Sequence, residues 1–259
     1  MKWLDHPLTR GIRIDDPDAV ELRRSVIALK SFLRRIYEEW YSSLARALPS
    51  GDGPVVELGS GPGFLGEFVP GVIRSDVVLH RYIDSVADAA CLPFASKTLR
   101  GIMMVNVLHH LAKPRGLFSE ATRCLMDHGV VVLIEPWATP WSRFVYTRLH
   151  HEPFDPIQKV WESPETGPMS GANGALPWII FGRDRAKFAL EFPQLEIEAI
   201  TLDMPFRYLL SGGLSKRAIT PNWTFPLWAI VERLLRPVMT GFAMFATIVL
   251  RKNSGGIVQ

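Results

Sequence analysis

Three glycines at alternate positions, directly after a short β-branched run, constrain this chain more than any other stretch: Val55-Val56-Glu57-Leu58-Gly59-Ser60-Gly61-Pro62-Gly63-Phe64. The run reads as a buried strand, and the glycines as a tight turn whose backbone must come close to a bound molecule. A Cβ there would block both the positive φ angles and that approach.

Gly61-Pro62-Gly63-Phe64-Leu65-Gly66 also satisfies the dinucleotide fingerprint G-x-G-x-x-G. It begins two residues beyond the glycine that ends the strand. Counted from Gly59, the third fingerprint position is Phe64, whose ring would spoil close helix–strand packing. The segment resembles instead the first motif of class I S-adenosylmethionine (SAM) dependent methyltransferases, where an acid such as Glu57 at the strand end is usual. An NAD(P)-dependent oxidoreductase stays open as the alternative.

Further elements follow in order. Val72-Ile73-Arg74-Ser75-Asp76 reads as a second strand ending in an acid, seventeen residues beyond Gly59. That spacing suits a ribose-binding carboxylate, while a solvated strand-end Asp is the plainer reading. Ile83–Asp88 reads as a third strand, and the run from Asp88 to Phe94 resembles the family's adenine-side motif D-A-x-x-L-P-F. Only twelve residues separate Asp76 from Asp88, so the usual intervening helix must be shortened or lost. Gly101–Val105 is a fourth strand, followed by Asn106-Val107-Leu108-His109-His110-Leu111, close to a V-L-H-H stretch of the family. Pro114 opens a helix and Gly129–Glu135 gives a fifth strand.

The chain thus resembles the broad bacterial type 11 group of these enzymes. The resemblance implies an α/β fold: a Rossmann-like seven-stranded, mostly parallel sheet with helices on both faces. It implies SAM as cofactor, leaving S-adenosylhomocysteine (SAH), held by Glu57, Gly59, Ser60, Gly61, Gly63, Phe64, Asp76, Asp88, Ala89 and Asn106.

Outside this core, Asp16-Pro17 is a helix start. Leu22, Val26, Leu29, Leu33, Ile36, Trp40 and Leu44 then form an apolar stripe, of one long helix or two, ending before Pro49, with the charged remainder as a solvated face. Residues 1–50 are therefore an N-terminal helical extension and 51–259 the methyltransferase domain, with lid-like inserts at about 136–182 and 204–240, after strands 5 and 6. Arg183–Phe192 and Pro226–Leu235 read as helices, Leu195–Leu202 and Gly241–Arg251 as the last two strands. The first insert is rich in aromatics, including Trp137, Trp141, Phe144, Tyr146, Phe154, Trp161 and Trp178: a cover over the substrate pocket, or packed decoration.

Hydrophobic residues make up 47 % of the 259 and the net charge is only +3. A full core is assured, and no basic run or aromatic–basic stripe calls for a nucleic-acid partner. Cys91 and Cys124 lack metal-ligand spacing and read as buried free thiols. The amino terminus lacks the apolar core of a signal peptide, so a reducing cytoplasmic setting is expected.

Fold alone does not identify an acceptor. The apolar inserts point to a small-molecule acceptor, most simply an oxygen nucleophile on a hydrophobic or lipid/glycan-linked metabolite, met at the inner face of the membrane. A hydroxyl acceptor benefits from a general base. His151 is the first candidate, then Glu152, which could orient it, then His109; a structural role for each is the alternative. No metal is expected. A non-catalytic SAM-binding protein is the third reading.

Overall fold

The computed structural model describes residues 6–8, 18–149, 152–163 and 173–254. Seven strands form one sheet in the order β3-β2-β1-β4-β5-β7-β6. They are β1 (Val55–Glu57), β2 (Ile73–Asp76), β3 (Ser85–Val86), β4 (Leu99–Val105), β5 (Leu125–Pro136), β6 (Leu195–Asp203) and β7 (Phe245–Lys252). The first five pair in parallel, and β7 runs antiparallel between β5 and β6.

The sheet is buried on both faces, and its central strands sort by period two. Val56, Ile102, Met104, Val131 and Leu133 join one core with Leu117, Phe118 and Ala121 of α3 (Pro114–Cys124). Val55, Met103, Val130, Val132 and Ile134 join the other, with Leu33, Ile36, Trp40 and Leu44 of α2 (Ser31–Ala47). Helices therefore cover both faces, as expected.

The remaining helices are α1 (Asp18–Leu29) before α2, and α4 (Pro140–Leu149), α5 (Leu176–Trp178) and α6 (Arg185–Glu191) between β5 and β6. Between β6 and β7 lie α7 (Arg207–Ser211), α8 (Phe225–Leu234) and α9 (Met239–Phe242). A π turn over Ile179–Arg183 joins α5 to α6, so the helix expected from Arg183 begins two residues later. The helical turn of α9 takes up Gly241, and the last strand starts at Phe245 rather than Gly241.

Other expectations change at particular residues. The proposed helix start, Asp16-Pro17, lies outside the described residues. The apolar stripe after it is two helices, and Leu29 at the end of the first is exposed. The break falls at Lys30, which turns inward instead of joining a solvated face. Its ammonium donates to the carbonyls of Gly213 (2.5 Å) and Lys216 (2.9 Å), and burial lowers its pKa to about 8. The third strand is only two residues long, and residues 77–84 carry no helix. Cys91 is exposed, not buried, because it stands on the tight turn bridged from Asp88; Cys124 is buried.

Among the described residues, no helix is long and apolar enough to cross a membrane.

Candidate active site

Strand order reverses between β1 and β4, the point at which doubly wound sheets open a crevice beyond their carboxyl ends. A cavity of about 1250 Å³ occupies that place. It exceeds the roughly 300–1,000 Å³ common for a single small-molecule site, which leaves room for two ligands.

The loop after β1 forms one wall. Leu58 N–H still donates to Met103 O (2.9 Å), and the chain then leaves the sheet, with Ser60 N–H donating to Ser75 O (2.8 Å). Gly59 has φ +62°, and a Cβ there would lie 2.5 Å from Val107 Cγ2. At Gly63 a Cβ would meet the Tyr41 hydroxyl oxygen at 2.4 Å and Ser60 O at 2.7 Å. These two glycines are required by packing. Gly61 differs: its φ is +45°, nothing lies closer than 3.8 Å to its added Cβ, and it lines the cavity. Packing within the protein does not require its hydrogen, although its φ favours glycine.

Strand ends place the acids around this loop. Asp76, closing β2, accepts from Gly61 N–H (3.0 Å) and Val78 N–H (3.1 Å). The His80 ring also lies close, with Nε2 3.7 Å from Asp76 Oδ2. Asp88, after β3, is more open and accepts from Ala90 N–H at 2.8 Å. Glu57, Gly59, Ser60, Gly61, Gly63, Asp76, Asp88, Ala89 and Asn106 all line the cavity. Asn106 takes a left-handed φ of +57°, which Asn tolerates better than most residues. Phe64 is the exception. Its ring packs edge-on to Tyr41 (centroids 4.9 Å apart) beneath the loop and does not line the cavity.

Glu57 is almost wholly buried, and its Oε2 has no hydrogen-bond partner among the described residues. Burial pushes its carboxyl up to about 8. A buried carboxyl of this kind calls for a cation beside it. The sign of the linkage follows. The neutral form is favoured on folding, so its contribution is complete below the ordinary carboxyl range and is lost as pH rises through about 8. Glu57→Gln is expected to flatten the fall in melting temperature of the ligand-free protein between about pH 6 and about pH 9. Equal slopes for the two proteins would contradict this account of Glu57.

The opposite wall carries a second buried cluster. His109 Nδ1 lies 2.6 Å from Glu135 Oε2, and Glu135 Oε1 accepts the N–H groups of Val107 (2.8 Å) and Leu108 (2.7 Å). Glu135 is fully buried at the end of β5, so it fixes both the turn after β4 and the ring of His109. His109 Nε2 lies 3.8 Å from Glu152 Oε2, and the rings of His109 and His110 are 4.1 Å apart. Burial works against a charge on His109, but Glu135 and then Glu152 outweigh it and raise the pKa to about 9. His109, His110 and Glu152 all line the cavity. His151, the first-choice base from the sequence, lies outside the described residues.

Glu135 was missed by sequence reasoning, although a signal existed. An acid closing a strand adjacent to β4 stands beside the turn that carries the histidines.

The inserts complete the enclosure. Tyr146 and Phe154 stack with centroids 4.8 Å apart and line the cavity with Tyr208, Leu209 and Leu214. Trp161 is fully buried, donates from Nε1 to Asp184 Oδ2 (2.9 Å), and packs in the core away from the cavity. The aromatic insert is thus divided between cover and core. Helix α1 closes the edge of the cavity beside the glycine loop: Arg24 donates to Gly63 O (2.8 Å), and Glu21 Oε2 accepts from the Tyr82 hydroxyl (2.5 Å).

Residues 73–133, from β2 into β5, match a family model described as a methyltransferase domain. Among curated proteins, none matches the sequence. Among the solved structures that share the fold are two methyltransferases. A geranyl diphosphate methyltransferase in complex with SAM is 14 % identical, with a TM-score of 0.50 over 96 % of this chain and 95 % of that one. Geranyl diphosphate C-methyltransferase from Streptomyces coelicolor A3(2), in complex with Mg2+, geranyl-S-thiolodiphosphate and SAH, is 15 % identical, with a TM-score of 0.50 over 93 % and 86 %.

Proposed function

We propose that this class I SAM-dependent methyltransferase transfers the methyl group to a hydroxyl of an apolar small molecule, with His109 as the base and Glu135 as its positioning partner. The observation that carries the proposal is the buried Glu135–His109 pair, which opens on the same cavity as the glycine loop.

The residues present fit the cofactor. Gly61 leaves backbone space, Glu57 offers an unpartnered buried oxygen to an ammonium group, and Asp76, lining the cavity, offers carboxylate oxygens to ribose hydroxyls. Bound SAM supplies a methyl group already activated on a cationic sulfonium. The chain has to hold the acceptor oxygen in line, keep water out and take a proton; positioning of this kind is worth on the order of 7–11 kcal/mol in favourable cases. Glu135 accepts the Nδ1 hydrogen of His109, which leaves Nε2 to receive the acceptor's proton. A positive charge brought into the cavity disfavours the imidazolium form and moves His109 toward the neutral base. Apolar walls from Tyr146, Phe154, Leu209 and Leu214 favour an acceptor with a hydrophobic body.

Thermal shift tests the cofactor assignment. SAH at a hundred times its Kd should stabilise the folded protein by about 2.7 kcal/mol, whereas NAD(P) should not. Stabilisation by NAD(P) alone would instead favour an oxidoreductase. Incubating cell extracts with the enzyme and labelled SAM, then analysing them by mass spectrometry, identifies the acceptor class.

A further inference from the structure

Helix α8 presents two unlike sides. About 3.6 residues per turn puts Leu227, Ile230 and Leu234 within roughly 60° of one another, and Phe225 and Glu232 on the far side. The far side is anchored: Phe225 packs on Phe32 at 4.9 Å, and Glu232 accepts from Arg207 N–H (2.8 Å) and Arg207 Nε (2.5 Å). The near side is bare. Leu227 is 54 % exposed, Ile230 56 % and Leu234 75 %, and Trp223, one turn before, is 75 % exposed.

Along the chain, the exposed charges beside this stripe have one sign. From Met204 to Phe242 the only acid is Glu232, buried against Arg207, while Arg217, Arg233 and Arg236 are exposed. Helix α4 likewise carries arginines alone, Arg143 and Arg148, and no acid; Phe144 is exposed on it, and exposed Leu149 lies about 140° further round, beside the cavity. The rings of Phe144, Trp141, Phe206 and Trp228 link the two helices in steps of about 6 Å. In a chain with 26 acids, this segregation matters. The surface also runs into the cavity, since exposed Leu149 and Ile219 are at once lining residues.

We infer that the outer faces of α8 and α4 dock on an anionic phospholipid bilayer, with the mouth of the cavity turned to the lipid. Exposed Leu, Ile and Trp side chains enter the interface while the arginines meet anionic headgroups. A protein partner of the usual mixed charge would not select arginine alone. The inference rests on the proposed methyl transfer only for what passes the mouth, and docking is measured without any acceptor.

The test is flotation of the full chain with vesicles of phosphatidylcholine, alone or with about 30 mol% phosphatidylglycerol. Binding is expected to the anionic vesicles, falling as salt rises, with little to the neutral ones. Arg233→Gln with Arg236→Gln should lower the partition by on the order of thirtyfold, at about 1 kcal/mol per basic residue. Leu227→Asp with Leu234→Asp should lower it at least as much. All four side chains are exposed, so melting temperature and SAH affinity should not change. Absence of binding to anionic vesicles, or binding that neither variant weakens, overturns the inference. So does a dimer in light scattering that Leu234→Asp dissociates while vesicles bind nothing, because the face then belongs to a second copy. Loss of SAH affinity in the wild-type protein would instead strike the functional proposal and leave the docking result standing.

Discussion

Replacing Gly61 by valine is expected to lower SAH affinity by at least about a hundredfold, the equivalent of two lost hydrogen bonds to a charged group. Calorimetry on the folded variant measures it. The physical reason is local: a side chain at Gly61 meets no protein atom within 3.8 Å and so projects into the cavity. The fold should survive, since the left-handed φ of +45° adds only about 1–2 kcal/mol of strain in a non-glycine residue. Gly59→Ala and Gly63→Ala should behave differently. Their Cβ atoms would strike Val107 and Ser60 O, so both are expected to depress the melting temperature before binding is considered. If Gly61→Val binds SAH like the wild type, the loop does not cradle the cofactor.

The second large effect concerns His109. His109→Ala should reduce turnover by about 10²–10⁴, the usual contribution of a positioned base, while SAH affinity is spared. A purely structural ring would not separate the two measurements. The pH profile gives an independent reading. With the imidazole of the ligand-free enzyme held up at about 9 by its carboxylate neighbours, kcat/KM for SAM should climb with pH toward that value. Glu135→Gln removes the nearer of those charges, so the ascending limb should move to lower pH. A limb that stays in place in Glu135→Gln would show that another group takes the proton.

The parts of the molecule legible in the sequence were those governed by short-range pattern. β-Branched or apolar runs marked β1, β4 and β5, the glycine spacing marked the loop, and Asp76 stood out as the acid that closes β2, Asp88 as the acid just beyond β3. What escaped depended on partners far along the chain. Glu135 and His109 are separated by 26 residues and meet only because β4 and β5 lie side by side. Lys30 looked like part of a charged helix face, yet it bonds carbonyls 183 and 186 residues away. Phe64 sits inside the motif but spends its ring on Tyr41, because the loop turns between the cavity and α2. The aromatic insert could not be divided between cover and core from composition, since both uses call for the same residues.

The two margins of the sheet settle how this chain can meet copies of itself. One margin is β3, a strand of two residues held by Arg74 paired to Asp84, too short to template a neighbour. At the other, β6 leaves Glu196 exposed, and a charge on an edge strand opposes an incoming one, while Glu198 is paired with Arg251 of β7 (2.7 Å). Extension of the sheet into a continuous intermolecular ribbon is therefore disfavoured, most strongly at β3.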